Sequence, residues 1–288
     1  MKIFVTGANG MAGHMIFHYF DRLPNVEVYG SIRGPSQHPR ITRLDLTDEQ
    51  ATFAVLQHIR PDVVINAAGI LNEEANKRLK EAIYINSLLP HVLAKYGDML
   101  DFKFIHISTD CVFSGLKGDY RENDQTDGTT VYAKTKSLGE VIEDKHLTIR
   151  TSIIGPEIRQ QGIGLFQWFM KQNGQIKGFR HVYWNGVTTL QLSKAIAWLI
   201  PKNINGLVHL ARQPKISKYD LLCLLKDEFN KEDIHIEPSD VERVDKSLMN
   251  TRGDLNFNVP SYYTMIRELK QWMESHPKRY AHYMKGKL

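Results

Sequence analysis

The stretch Lys2-Ile-Phe-Val-Thr-Gly7-Ala-Asn-Gly10-Met-Ala-Gly13 decides the fold. Residues 2–6 form a short apolar β-type run, three glycines follow at a spacing of three, and an amphipathic pattern then runs over 11–23. This order reads as strand, glycine turn, helix. Gly7 permits a tight turn, Gly10 lets the backbone approach a pyrophosphate, and Gly13 lets the helix lie close to its strand. Asn9, Met11 and Ala12 complete the turn. The helix start presents unpaired N–H groups and the positive end of its dipole to the phosphates. The spacing is G-x-x-G-x-x-G, and its place at the head of a βα unit is what gives it weight.

Working outward, residues 26–32 read as a second strand. Ser31 and Arg33 stand where an acidic residue would grip a ribose 2′-hydroxyl. A hydroxyl and a guanidinium suit a 2′-phosphate, which favours NADPH, with NADH as the alternative. Read otherwise, Arg33 is a solvated loop residue. A third strand over 41–44 ends at Asp45-Leu46, where Asp45 would meet the adenine amino group or form a turn. Asp48 is placed to N-cap a helix over 49–59. The apolar run 63–69 suits a strand buried on both faces, with Ala67, Ala68 and Gly69 leaving room for a cofactor at its end. A long helical pattern covers 73–96. Pro90 should kink it or open a new turn, and Asn86 should bond backbone groups within it.

Residues 102–107 form the next strand and deliver Ser108 and Thr109. A polar loop occupies 112–130, a length that without regular structure is usually functional. Helix 131–145 and strand 147–150 close a set of alternating strands and helices, which argues for a parallel, doubly wound sheet. Beyond Arg150 the regularity weakens. A helix carries Phe166, Trp168 and Phe169, residues 179–189 read as a loop, and residues 190–199 are helical. A strand near 207–210 should return to the main sheet. Ser217 should cap a helix through Phe229, another helix runs from Pro260 to Met273, and the tail from His276 should fray. The expected fold is α/β: a Rossmann-type doubly wound parallel sheet over 1–152, with a smaller C-terminal substrate lobe of helices and loops over 153–288.

Tyr132 and Lys136 lie four residues apart, one helical turn, so their side chains share a face. A nearby ammonium lowers a phenol's pKa, and a tuned phenol can exchange a proton with a carbonyl or hydroxyl. Thr109 would hydrogen-bond the same oxygen. Tyr-x-x-x-Lys by itself is weak: a second one, Tyr283 to Lys287, sits in the tail without strand, glycine turn or hydroxyl partner. Context selects the first.

The composition narrows the classes. The 288 residues are 42% hydrophobic and carry a net charge of +5. That balance suits anionic ligands such as phosphates or an ordinary solvated basic surface. No Arg-rich block, RNA-binding signature or zinc spacing points to nucleic acid, and no metal site is expected. The two cysteines, Cys111 and Cys223, match no metal motif. Without a signal peptide or an apolar run of membrane-spanning length, a cytoplasmic protein with no membrane partner is expected.

The combination TGANGMAG, NAAG, STDCVFSG, YAKTKSLGE and RTS resembles the extended short-chain dehydrogenases/reductases. Within them it is most similar to the dTDP-4-dehydrorhamnose reductase-like sugar-nucleotide reductases. The resemblance implies that Tyr132 is the proton donor, Lys136 holds the nicotinamide ribose and tunes Tyr132, and Thr109 is the hydroxyl partner. It implies that Gly10, Met11, Ala12, Asp45, Leu46, Ala67, Ala68 and Gly69 line the cofactor. Thr109, Asp110 and the residues after Ser152, Ile153 first, would face the sugar. The partner would be a nucleotide-sugar substrate, the activity an NADPH-dependent reduction of a 4-keto-deoxysugar in deoxysugar or polysaccharide biosynthesis. Relatives are often homodimers, though no interface is legible here.

Four stretches depart from the family pattern, all on the substrate side. Cys111 replaces an aromatic after STD, Ile153 replaces a Trp after RTS, HVYWNGVTT only loosely matches Gly-x-Pro-Thr, and NAAGILNEEANKR lacks an aromatic after its alanines. Cys111 reads as a small buried hydrophobe rather than a nucleophile. The alternatives are an epimerase or dehydratase on the same fold and a non-catalytic dinucleotide-binding regulatory subunit. Asp110-Cys111 offers only one of the acidic residues a dehydratase would place there.

Overall fold

The computed structural model describes residues 1–283 apart from Asp144, Gln160 and Asn203. The strands β1 (Lys2–Thr6), β2 (Glu27–Ile32), β3 (Ile41–Arg43), β4 (Val63–Asn66), β5 (Lys103–Thr109) and β6 (Leu147–Thr151) are joined at the far edge by a strand from the second half, Gly206–His209. All seven run parallel, and the order reverses at β1, which lies between β2 and β4. Such a reversal opens a crevice at the carboxyl ends of the strands. The run Val63–Asn66 is buried throughout, as a central parallel strand requires.

Helices cover both faces. On one, α1 (Met11–Phe20) buries Ile16, Phe17 and Phe20 against the sheet and against the helix Thr189–Leu199. On the other, α2 (Glu49–Ile59) contributes Leu56 and Ile59 to a core with Phe4, Val64, Leu93 and Phe104. Asp48 caps α2 by accepting from Ala51 N–H at 2.9 Å.

The long helical pattern over 73–96 is broken into pieces: α3 (Asn72–Lys77), α4 (Leu79–Ala82), a π-helical segment Ile83–Leu88, and α5 (Leu89–Leu100), which Pro90 opens. The wider π turn re-aims Asn86 away from its own helix. Its carboxamide accepts from Ile70 N–H at 2.9 Å, donates to Ile70 C=O at 2.8 Å, and reaches Thr135 Oγ1 at 3.1 Å. The helix expected over 131–145 is shorter. It is α6 (Val131–Leu138), stopped at Gly139, where a Cβ would sit 1.9 Å from the Asn86 carbonyl oxygen.

The second half differs most from the sequence reading. After β7 (Ile153–Ile154) and α7 (Leu165–Lys171), the segment expected as a loop is mostly strand: β8 (Gly174–Trp184) and β9 (Val187–Thr188). Next come α8 (Thr189–Leu199) and β10 (Gly206–His209), the edge strand already met, which pairs with β6. They are followed by β11 (Ile216–Ser217), α9 (Lys218–Phe229), β12 (Ile234–Asp245) and α10 (Tyr262–Glu274). The order β11-β8-β12 makes a three-stranded sheet where helices and loops were expected. Pro238 sits within β12 and the register shifts between Ser239 and Arg243. An edge strand tolerates both, because only one side of its backbone is paired. Phe166, Phe169, Ile176, Leu221, Ile236 and Leu269 form a second core that Met15 of α1 also enters, while Trp168 is exposed.

The tail is ordered as far as it is described. Tyr280 is fully buried and lies 3.1 Å from His14 Nε2. Residues 284–288, including Lys287 of the second Tyr-x-x-x-Lys, lie outside the described residues. No helix among the described residues is long and apolar enough to cross a membrane.

Candidate functional site

Two clefts meet along Gly10, Ala67, Ala68 and Gly69 at the carboxyl ends of the strands. The first, about 390 Å³, runs from Gly7, Asn9 and Gly10 to Ser31, Arg33, Asp45 and Leu46. The second, about 330 Å³, is walled by Met11, Ala12, Thr109, Asp110, Cys111, Tyr132, Lys136, Ser152 and Ile153. Of the residues expected at a site, Gly13 alone lines neither. It works from behind.

A Cβ on Gly13 would sit 2.1 Å from the Gly7 carbonyl oxygen, so only glycine lets α1 approach its strand. Gly7 has φ +65, and its missing Cβ faces the Ala68 backbone at 3.0 Å. The turn is closed by Gly10 N–H donating to Gly7 C=O at 2.9 Å. Arg159, from the segment after β7, crosses to this turn and donates to Asn9 Oδ1 at 2.6 Å.

At the outer end of the first cleft, the Ser31 hydroxyl is buried and has no hydrogen-bond partner among the described residues. Arg33 is exposed and makes no hydrogen bond or ion pair among them. Arg78, missed in the sequence reading, lines the same wall and pairs with Glu81. Asp45 accepts from the Thr47 backbone N–H at 3.0 Å and from its hydroxyl at 2.8 Å, which holds its carboxyl below the usual range. An orphaned hydroxyl and an unpaired guanidinium thus line the far end of a cleft that begins at a glycine turn, the place of a bound dinucleotide.

In the second cleft, β5 delivers Thr109 and α6 delivers Tyr132 and Lys136. Thr109 accepts from Cys111 N–H at 3.1 Å and donates to Asp110 Oδ1 at 3.1 Å. Burial raises the Tyr132 phenol well above its ordinary pKa and Cys111 adds to the rise, while a hydrogen bond with Thr109 opposes it. The expectation that Lys136 lowers this phenol is not met in this structure. Its amine turns inward, donating to Ile107 C=O at 2.8 Å and lying 3.0 Å from His106 Nε2. Burial brings that amine down to about 8. Cys111 is pushed up to about 11 by burial, so its thiol stays protonated at neutral pH. Asp110 is raised by burial, with Lys246 and Lys218 of the second lobe pulling it back.

Arg150 and Glu140, both quoted in the motifs, serve as a brace. Arg150 grips the Glu140 carboxylate through two bonds of 2.7 and 2.6 Å, and Ser108 donates to the same carboxylate at 2.6 Å. This ties the end of β5 to the end of α6 and so fixes Thr109 against Tyr132. No group of three or more His, Cys, Asp or Glu among the described residues could hold a metal ion.

A glycine turn opening a parallel sheet, with hydroxyl, phenol and amine at the strand ends beside it, is the build of an extended short-chain dehydrogenase/reductase. The chain belongs to the family described as RmlD substrate binding domain, whose model matches residues 1–256. It is 25% identical over 251 residues to methionine adenosyltransferase 2 subunit beta of Danio rerio, covering 82% of this chain and 76% of that one. Among solved structures, a hypothetical dTDP-4-dehydrorhamnose reductase from Sulfolobus tokodaii matches with a TM-score of 0.74 at 28% identity, over 86% of this chain and 92% of that one. A dTDP-4-dehydrorhamnose reductase from Bacillus anthracis, solved in complex with NADP, shares the fold with a TM-score of 0.80 at 20% identity, over 94% of this chain and 99% of that one.

Proposed function

We propose that this chain is an NADPH-dependent reductase of a nucleotide-linked 4-keto-deoxysugar, serving deoxysugar or polysaccharide synthesis. The observation that carries the reading is the convergence of Thr109, Tyr132 and Lys136 on one cleft that meets the glycine-turn cleft along Gly10 and Ala67–Gly69. Gly7, Gly10 and the start of α1 would hold the pyrophosphate. Ser31 and Arg33 would take the 2′-phosphate, and Lys136 would face the nicotinamide ribose. When bound, the dinucleotide supplies hydride to the keto carbon.

The protein's own part is proton handling. A phenol kept protonated by burial can give its proton to the substrate oxygen as negative charge develops there. Thr109 would donate to the same oxygen and fix its position once its hydroxyl hydrogen turns there from Asp110 Oδ1. Asp110, Ser152 and Ile153 would meet the sugar, with Cys111 leaving space where an aromatic would stand. Lys218 and Lys246 bring positive charge from the second lobe to the same place.

A second reading has a specific observation behind it. The Danio rerio relative is named as a subunit of another enzyme, so this chain would be a dinucleotide-binding partner without turnover of its own. The two separate on one experiment: NADPH oxidation against a panel of dTDP-, UDP- and GDP-linked 4-keto sugars, with NADH in parallel. Turnover that Tyr132→Phe abolishes while leaving NADPH binding intact supports the reductase. Wild-type protein that binds NADPH and turns over no sugar in the panel overturns it in favour of the partner role.

A further inference from the structure

A dinucleotide in the first cleft brings a pyrophosphate to the glycine turn, and the turn itself meets that negative charge with uncharged N–H donors only. Three cations line the cleft: Arg33, Arg78 and Arg159. Two carboxylates line it with them, those of Asp45 and Glu81. Arg78 is paired to Glu81, and Asp45 is turned onto Thr47. Two guanidinium groups are then left without a carboxylate among the described residues. Arg33 stands with Ser31, and Arg159 stands at the glycine turn.

Arg159 follows Asn9 by 150 residues, yet its Nη2 donates to Asn9 Oδ1 at 2.6 Å, between Gly7 and Gly10. The acceptor is a neutral carboxamide. The bond fixes where the guanidinium sits without cancelling its charge, and it occupies only one of several N–H donors. The backbone that carries Arg159 is braced. Its carbonyl accepts from Gln167 Nε2 of α7 at 3.1 Å and from Gly162 N–H at 3.2 Å. Two residues earlier, Glu157 N–H donates to the Tyr283 phenol at 2.8 Å, and the Glu157 carboxylate accepts from Gly164 N–H at 2.6 Å. His282 Nε2 lies 2.9 Å from the Glu157 carbonyl oxygen. Gly164 in turn lies so close to Met11, the first residue of α1, that a Cβ would collide with the methionine's end. The second half of the chain thus presents a cation to the turn from a held backbone, and less ordering entropy opposes its contact with a ligand.

We propose that Arg159 is a cofactor-binding residue whose guanidinium bridges Asn9 and the pyrophosphate of the dinucleotide. Arg33 and Arg159 then divide the ligand's charge, one at the 2′-phosphate and the other at the pyrophosphate. Guanidinium–phosphate bonds are charge-assisted and among the stronger hydrogen bonds. The inference rests on the first cleft being the dinucleotide site, which the reductase reading and the partner reading share.

Binding to the full chain tests it without turnover. Arg159 is exposed, so Arg159→Gln leaves the core untouched. NADPH and NADH are titrated by calorimetry into wild type and variant, and adenosine 2′-monophosphate, which ends before the pyrophosphate, is measured by competition with NADPH. Arg159→Gln should weaken NADPH and NADH alike by about tenfold, and leave the monophosphate within about twofold. The wild type's NADPH affinity should also fall more steeply with ionic strength than the variant's. A loss confined to NADPH would move Arg159 to the 2′-phosphate. An equal loss for all three ligands, or an unchanged salt slope, would make it a brace of the turn. Unmoved affinity would make it a surface residue. Each of these overturns the proposal and leaves the reductase reading standing. A chain that binds NADPH through Arg159 yet reduces no sugar nucleotide would sink the reductase reading and leave this one.

Discussion

Arg33 stands at the open end of the first cleft beside the orphaned Ser31 hydroxyl. If the pair grips a 2′-phosphate, Arg33→Ala should raise the KM for NADPH at least tenfold, the worth of one charge-assisted hydrogen bond, and leave the KM for NADH within twofold. Equal losses with both cofactors would make Arg33 a general phosphate contact. Deeper in, the Glu140–Arg150 pair has both side chains below a tenth exposed, at 7% and 5%. Glu140→Ala leaves a guanidinium buried without its carboxylate, and should cost about 3–5 kcal/mol in denaturant unfolding. At this scale, what could be read beforehand was local. Gly7 and Gly13 announce themselves by spacing within one strand–turn–helix unit, and Tyr132 and Lys136 by their spacing on one helix together with Thr109 at the end of the strand before it. Asn66, His106 and Glu140 do not, because each acts through a partner brought close only by the sheet. Asn66 meets His106 across 40 residues, and His106 meets Lys136 across 30.

Among the elements, α1 shows the clearest dependence on one position. Gly13→Ala forces the helix off its strand by the 2.1 Å approach to the Gly7 oxygen. It should destabilise the fold by about 1–3 kcal/mol and abolish NADPH binding measured by fluorescence titration. Retention of tight binding would show that the turn adapts. The first-half strands were readable because buried parallel strands are short apolar runs between helices. β8 and β12 were not, since the signals there conflict: Gly178 interrupts one, and Pro238 with a register shift interrupts the other. Gly178 has a tertiary reason. A Cβ there would lie 2.8 Å from both Ile236 and Tyr219. The long helix of 73–96 failed for a related reason, since a π turn leaves the helical period nearly intact while rotating one side chain out of register.

At the scale of the molecule, the segment around Tyr280 returns to α1. His14 donates through Nδ1 to Gly10 C=O at 2.8 Å and accepts at Nε2 from the Tyr280 phenol at 3.1 Å, so the ring is neutral. Burial, opposed by the bond to Gly10 and aided by Arg279, lowers it to about 4. Above pH 6.5 neither folded nor unfolded chain is charged at this ring. Below it, the unfolded chain takes a proton that the folded one refuses, so stability falls as pH drops toward 4. Between pH 7.5 and 5 His14 alone should cost about 2 kcal/mol, measured by urea unfolding at the two pH values. His14→Gln should flatten that slope, and an unchanged slope would place the acid sensitivity elsewhere. The tail shows why whole-molecule features resist sequence reading: a basic stretch looks frayed until the surface that receives it is known.

The seating of Tyr280 on α1 also bears on the order in which the protein is made. The helix that opens the dinucleotide cleft is synthesised before the segments that cover it: its face carrying Ile16, Phe17 and Phe20 lies against α8, and His14 Nε2 meets Tyr280. Even the main sheet gains its edge strand from residues 206–209. The nucleotide-binding half therefore cannot finish folding as it leaves the ribosome. It must wait, with apolar surface uncovered, for segments synthesised some 180 to 270 residues later, measured from the spacing of Phe17 to Leu199 and His14 to Tyr280. A nascent chain stalled near residue 152 would be a client for holding chaperones rather than a folded domain.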